Sequence, residues 1–214
     1  MSLRRVIVQG ASEDRLQKLI EARQKKGADK AAIDQRIWDL FGEEWCVMAT
    51  DLSGFSRGVA EFGIIHFLQT IYESERILVG VIEAHDGILL KVEGDSFLVI
   101  FRNVQKALRA AIEMQRTTRR YNASKPRAEH VLLGVGLGFG PMLRIGDADV
   151  YGVEVNAACI LGESIAGPYE ILVTKAVRDA AEDGVKFEDI DFVPPGAEQA
   201  YRVKYGVSRR AARR

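Results

Sequence analysis

Two aspartates stand out by type and setting. Asp51 closes the apolar run that starts at Trp45 and opens the segment Asp51-Leu-Ser-Gly-Phe-Ser, while Asp95 follows Glu93-Gly94 between the apolar runs ILLKV and SFLVIF. They lie 44 residues apart in sequence. Carboxylates at two strand ends can share a hard cation such as Mg²⁺ or Mn²⁺, which takes oxygen ligands and usually completes its shell with phosphate oxygens of a substrate. Each aspartate alone is also ordinary loop chemistry, one before a turn and one after a glycine. Whether they act together depends on the elements that carry them.

The run WCVMATD reads as a buried strand ending near Asp51. Ile64, Leu68, Ile71, Leu78 and Ile82 then recur at helical spacing, and Asp86-Gly87 supplies a stop. ILLKV (88 to 92) and SFLVIF (96 to 101) are two strands joined by a connection of hairpin length and chemistry. Val104, Ala107, Leu108, Ala111 and Ile112 form the apolar stripe of a second helix, and VLLGVGLGF supplies a fourth strand. Strand, helix, strand, strand, helix, strand is the split β-α-β unit, which predicts an α+β, ferredoxin-like antiparallel sheet with helices on one face. In that unit the third strand lies between the first and second and runs antiparallel to both. Asp51 and the Asp95 hairpin therefore belong to one edge of the sheet.

Composition narrows the rest. The chain has 214 residues, 47% of them hydrophobic, with 30 Lys plus Arg against 30 Asp plus Glu, enough for one globular domain and a short extra element. Zero net charge gives no electrostatic footprint for nucleic acid or an anionic membrane. The uncharged stretch Val131 to Leu143 is too short and too rich in glycine to span a bilayer, and the N-terminus lacks the apolar core of a secretory signal. Two cysteines cannot make a disulfide framework, so the expected setting is cytoplasmic. Three scattered histidines without HExxH leave carboxylates as the ligands for any metal. Residues 1–43 read as an N-terminal helical extension, 44–206 as the main domain and 207–214 as a basic tail carrying four arginines.

Three motifs occur in register: Asp51-Leu-Ser-Gly-Phe-Ser, Lys91-Val-Glu-Gly-Asp95 and Asp149-Val-Tyr-Gly-Val-Glu-Val-Asn156, with GVGLGFG before the third and YEILVT after it. Together, over roughly Trp45 to Val203, they resemble the class III nucleotidyl cyclases, the adenylate and guanylate cyclase catalytic domain. The resemblance implies conversion of ATP to 3′,5′-cyclic AMP and pyrophosphate. It implies that Asp51 and Asp95, with Leu52 beside them, hold two Mg²⁺ or Mn²⁺ ions. Ser53, Gly54 and Phe55 match the turn whose backbone amides suit the triphosphate. Lys91 and Asp149 match the pair that reads adenine: a lysine donates to N1 and a carboxylate accepts from the 6-amino group, where guanine presents the opposite pattern. Asn156 matches the asparagine that orients the ribose, although an asparagine near a helix start also serves as an N-cap. Metal aspartates and base-reading groups come from different chains in the family, so one chain carrying both implies a homodimer. The segment FGPMLRIGDADVYG would then reach across the interface or stand as a surface loop.

The sequence also departs from the family. The position of its transition-state arginine, four residues after the asparagine, is Ile160, a loss on the order of a hundredfold in rate for one charged donor. Pro194-Pro195-Gly196 stands where a basic turn touches the triphosphate, and Arg144 or Arg57 is the candidate substitute charge. Glu93, in a place usually apolar, reads as an exposed turn residue or a third metal ligand. Two functions stay open on these residues: a slow adenylate cyclase, or a catalytically degenerate cyclase-fold dimer that binds nucleotide or regulates a partner.

Overall fold

The computed structural model describes residues 12–53 and 62–206. Two helices come first, α1 (Ser12–Gln24) and α2 (Lys30–Phe41), and the Asp29 carboxylate caps the second by accepting from the Ala32 N–H. Then follow β1 (Gly42–Leu52), α3 (Ile64–Ala84), β2 (Ile88–Glu93), β3 (Ser96–Phe101), α4 (Val104–Asn122) and β4 (Leu133–Ile145). The chain continues with β5 (Asp149–Tyr151), α5 (Val153–Cys159) running into a π-helical turn over Ile160–Ile165, β6 (Ile171–Thr174), α6 (Lys175–Asp179), β7 (Lys186–Asp189) and β8 (Ala200–Lys204). Among the described residues the strands form one sheet in the order β2-β3-β1-β4-β6-β8-β7, with β5 beside β4.

The split unit is present: β3 lies between β1 and β2 and is antiparallel to both. The sheet is mixed, because β4 and β6 pair in parallel while the other pairs are antiparallel. β4 is longer than its apolar run predicts. Its second half pairs with the start of β1 and with β5, so the segment read as a reaching arm or a surface loop is a β-hairpin whose stem belongs to the sheet.

β1 explains its own continuous apolar sequence, since alternate residues go to opposite faces and both faces are covered. Cys46, Met48 and Leu52 join one core with Leu78 and Ile82 of α3 and Ala107, Leu108 and Met114 of α4. Trp45, Val47 and Ala49 join another with Val155 and Ala158 of α5. The two long helices thus share one face as expected, and α5 occupies the other. What lets α5 approach is the alternation of glycines in GVGLGFG. A Cβ on Gly136 would lie 2.1 Å from the Ala158 carbonyl oxygen, and one on Gly138 would lie 2.2 Å from that of Glu154. Gly162 repays the approach from the helix side, where a Cβ would meet the Ala49 carbonyl oxygen at 2.4 Å.

The helical stripe of α4 is buried as predicted, apart from a partly covered Ile112. In α3 the pattern divides. Leu78 and Ile82 are fully buried and Phe67 replaces Leu68 as the inward residue, whereas Ile64, Ile65, Leu68 and Tyr72 are all more than half exposed. The first half of α3 therefore carries an apolar stripe that nothing among the described residues covers. No helix among the described residues is long and apolar enough to cross a membrane.

Candidate active site

The end of β1 and the β2–β3 hairpin meet at one sheet edge. The hairpin turns at Gly94, whose φ of 61° is a left-handed conformation natural to glycine, and Asp95 follows it. Ser96 Oγ donates to Asp51 Oδ1 at 3.3 Å, and the Phe97 N–H donates to Thr50 Oγ1 at 3.2 Å, which ties the hairpin to the strand end. Burial and the neighbouring Asp95 carboxylate push the Asp51 carboxyl up to about 6, against a hydrogen bond from Ser96 that pulls it down. Asp95 Oδ2 is buried and has no hydrogen-bond partner. Two carboxylates at close quarters, one raised and one with an orphaned buried oxygen, form a donor set that fits a hard cation. Among the described residues no group of three or more His, Cys, Asp or Glu side chains forms a metal cluster.

Leu52 is buried beside Asp51, and the Ser53 N–H donates to the Leu132 carbonyl at 2.7 Å. In this structure that amide is engaged by the chain itself. Gly54, Phe55 and Arg57 lie outside the described residues, as does the basic tail.

Next to this edge opens a cavity of about 410 Å³ whose lining includes Lys91, Ser96, Asp149, Asn156 and Glu163. Lys91 Nζ lies 2.5 Å from Asp149 Oδ2, which joins β2 to β5 across 58 residues of sequence. Glu93 Oε1 stands 3.7 Å from the same ammonium, with its side chain 76% exposed. Burial pushes the Asp149 carboxyl up, but Lys91, the Val150 N–H and Tyr151 outweigh it and hold it below the usual range. The partnership with Asp149 correspondingly raises Lys91. Asn156 is not an N-cap: Gly152 holds that place, and Asn156 sits within α5 with its side chain exposed to the cavity. Lys91, Asp149 and Asn156, predicted from two separated motifs, thus face one space within a single chain.

The substitute cation Arg144 is not brought there. Arg144 donates to the Gly146 carbonyl at 3.0 Å and to Asp147 at 2.6 Å, and stacks over Trp45 with Arg102. Arg144 pairs with Val150 in the β4–β5 hairpin, yet its side chain is absent from the cavity lining. The Pro194-Pro195-Gly196 turn lies in a different cleft beside Lys175, which is occupied with Asp179 and Glu198. Ile160 begins the π-helical turn and is absent from the cavity lining, whereas Cys159 and Glu163 are present.

Glu163 and Tyr151 are cavity residues that the motif reading missed. Glu163 was legible as the residue seven after Asn156, two helical turns along one face. Burial raises its carboxyl, with Glu93 and Asp95 adding to the effect. Burial also pushes the Cys159 thiol up to about 11, so it is not a reactive thiolate at neutral pH.

Comparison with known proteins bears on the family and the fold. The family description "Adenylate and Guanylate cyclase catalytic domain" matches residues 42–200. A relative from Rhizobium meliloti (strain 1021), "Putative adenylate cyclase 3", is 24% identical over 158 residues, covering 74% of this chain and 26% of that protein. The chain spans about a quarter or less of the length of the curated relatives it matches. The solved adenylate/guanylate cyclase/hydrolase from Silicibacter pomeroyi superposes with a TM-score of 0.64 at 22% identity, over 77% of this chain and 98% of that one. The adenylyl cyclase CyaB from P. aeruginosa also gives 0.64, at 20% identity, over 78% and 96%. With the family matched along most of its length and the fold shared, the chain belongs to the class III adenylate and guanylate cyclase catalytic domain family.

Proposed function

We propose that the unit spanning residues 44–206 forms a homodimer that converts ATP to 3′,5′-cyclic AMP and pyrophosphate. The observation that carries this reading is the Lys91–Asp149 pair, set beside Asn156 in one cavity next to the Asp51 and Asp95 edge. Lys91 donates to adenine N1 and Asp149 accepts from the 6-amino group, which selects ATP over GTP by hydrogen-bond pattern. Asn156 orients the ribose. Asp51 and Asp95, with Leu52 beside them, hold Mg²⁺ or Mn²⁺. When bound, such ions supply the positive charge that favours ionisation of the 3′-hydroxyl and neutralises the departing pyrophosphate. The 3′-oxygen attacks the α-phosphorus as the bond to pyrophosphate breaks, and the hydroxyl proton leaves to solvent. No covalent intermediate on a side chain is required.

The stripe of Ile64, Ile65, Leu68 and Tyr72, uncovered among the described residues, supports the dimer, because a surface of that chemistry is stable when buried against a partner. A second reading is a degenerate dimer that binds nucleotide without turnover. It is favoured by the charge of the cavity, where Lys91 is the cation among the lining residues and Glu93, Asp149 and Glu163 are acidic. One experiment separates the two. Purified protein is incubated with ATP or GTP and Mn²⁺, and the products are read by mass spectrometry beside Asp51→Ala. Cyclic AMP that disappears in the variant supports the enzyme; no cyclic product from a folded dimer overturns it.

A further inference from the structure

Lys91, Asp149 and Tyr151 line not one cavity but two. On their other side lies a second space of about 550 Å³, walled by Glu13, Leu16, Gln17 and Ile20 of α1. Those four positions recur at spacings of three, one and three, so they are one face of the helix. The wall is fixed in place, because Leu19 of α1 is buried with Ile37 and Phe41 of α2 against Ile145 at the end of β4. The N-terminal hairpin is therefore anchored on the same β4–β5 hairpin that presents Asp149.

Asp149 and Tyr151 are two residues apart on β5 and so share a face. Both line the two cavities with Lys91, and Glu13 lines the second with them; the Asp149 and Glu13 carboxylates both raise the Tyr151 phenol. Asp149 in turn binds Lys91. The first turn of α1, Tyr151 and the pair assigned to adenine thus border one space. Tyr151 is 53% exposed, which is unusual for a ring at such a junction and leaves it free to be placed by its neighbours.

We propose that Tyr151 is a positioning residue for the Lys91–Asp149 pair, and that helix α1, acting through Glu13, sets where Tyr151 stands and so tunes purine selection. The proposal rests on the adenine-reading assignment above. A carboxylate that accepts from a lysine and a backbone amide, with a phenol beside it on the same strand face, has a restricted direction left for a 6-amino group. Removing the phenol loosens that restriction and favours the base with the wrong pattern less strictly excluded.

The test is binding of 3′-deoxy-ATP and 3′-deoxy-GTP, which cannot cyclise, to the full chain with Mn²⁺, measured by calorimetry. Tyr151→Phe keeps the ring and should lower the ATP-over-GTP affinity ratio by about tenfold. Glu13→Lys should move the ratio in the same direction, and the double variant should be no worse than Tyr151→Phe alone, because both act through one group. A merely structural role would weaken both nucleotides equally and leave the ratio unchanged, and that result overturns the proposal. So does additivity of the two substitutions. If the wild type binds neither nucleotide, the adenine reading fails, and the coupling is decided separately by ultraviolet titration of the phenol, isolated as the difference from Tyr151→Phe. Ionisation at lower pH in both Asp149→Asn and Glu13→Gln supports the coupling of α1 to Asp149; an unchanged titration in either overturns it.

Discussion

Replacing Asp51 by Asn should make the metal-free protein more stable, although it removes a residue assigned to catalysis. In the folded chain, burial and Asp95 hold the Asp51 carboxyl at about 6, against an ordinary value of 3.8. About two pH units at 1.36 kcal/mol each set a ceiling of ~3 kcal/mol, and screening of this half-buried group by solvent reduces it to about 1–2 kcal/mol. The sign follows from linkage. A carboxyl raised on folding is a cost that is complete above pH 6, fades as the pH falls towards 3.8, and is absent below both values. Asparagine is isosteric and still accepts from Ser96 Oγ, so no cavity or lost hydrogen bond confounds the comparison. Urea denaturation in EDTA should therefore show Asp51→Asn more stable than wild type at pH 8, with the gap narrowing at pH 4.5. Added Mn²⁺ should stabilise the wild type and not the variant. A variant equally or less stable at pH 8, or a gap independent of pH, would refute the reasoning.

Other outcomes follow from the same geometry. Gly136→Ala should cost about 1–3 kcal/mol or more in chemical denaturation, since its Cβ meets the Ala158 backbone rather than a flexible side chain. Glu163→Gln removes a carboxylate that faces Glu93 and Asp95, and should tighten binding of Mn²⁺ with a nucleoside triphosphate about two- to fivefold in calorimetry. Ile65→Asp places a charge in the exposed stripe of α3 and should shift sedimentation from dimer to monomer while circular dichroism stays unchanged.

Much of the site could be read in one dimension because its parts are local. An aspartate at a strand end, a glycine that turns a hairpin and an asparagine one helical turn after a β-hairpin are short-range features, and their order along the chain places them on one edge once the split unit is assumed. The periodicity of α4 was equally legible, for a helix buried along one stripe has a single solution. α3 was not, because Ile64 and Leu68 satisfy the helical pattern as well as Phe67 does. Only the packing decides which apolar residues face inward.

What the sequence by itself determined is the family, the split β-α-β order and the residue types available for chemistry: paired carboxylates, one lysine, one asparagine, and no arginine at position 160. What the tertiary structure decided is how those groups are spent. Arg144 is consumed by Asp147 and Trp45, the Ser53 amide by Leu132, and Lys91 by Asp149, while Glu163 enters the cavity that Ile160 does not line. The glycines of GVGLGFG take their meaning only from the backbone of α5 that they admit. The physical reason is range: strand and helix periodicity act over a few residues, whereas the partner of a charge or the neighbour of a Cβ is set by contacts between segments that only the folded chain brings together.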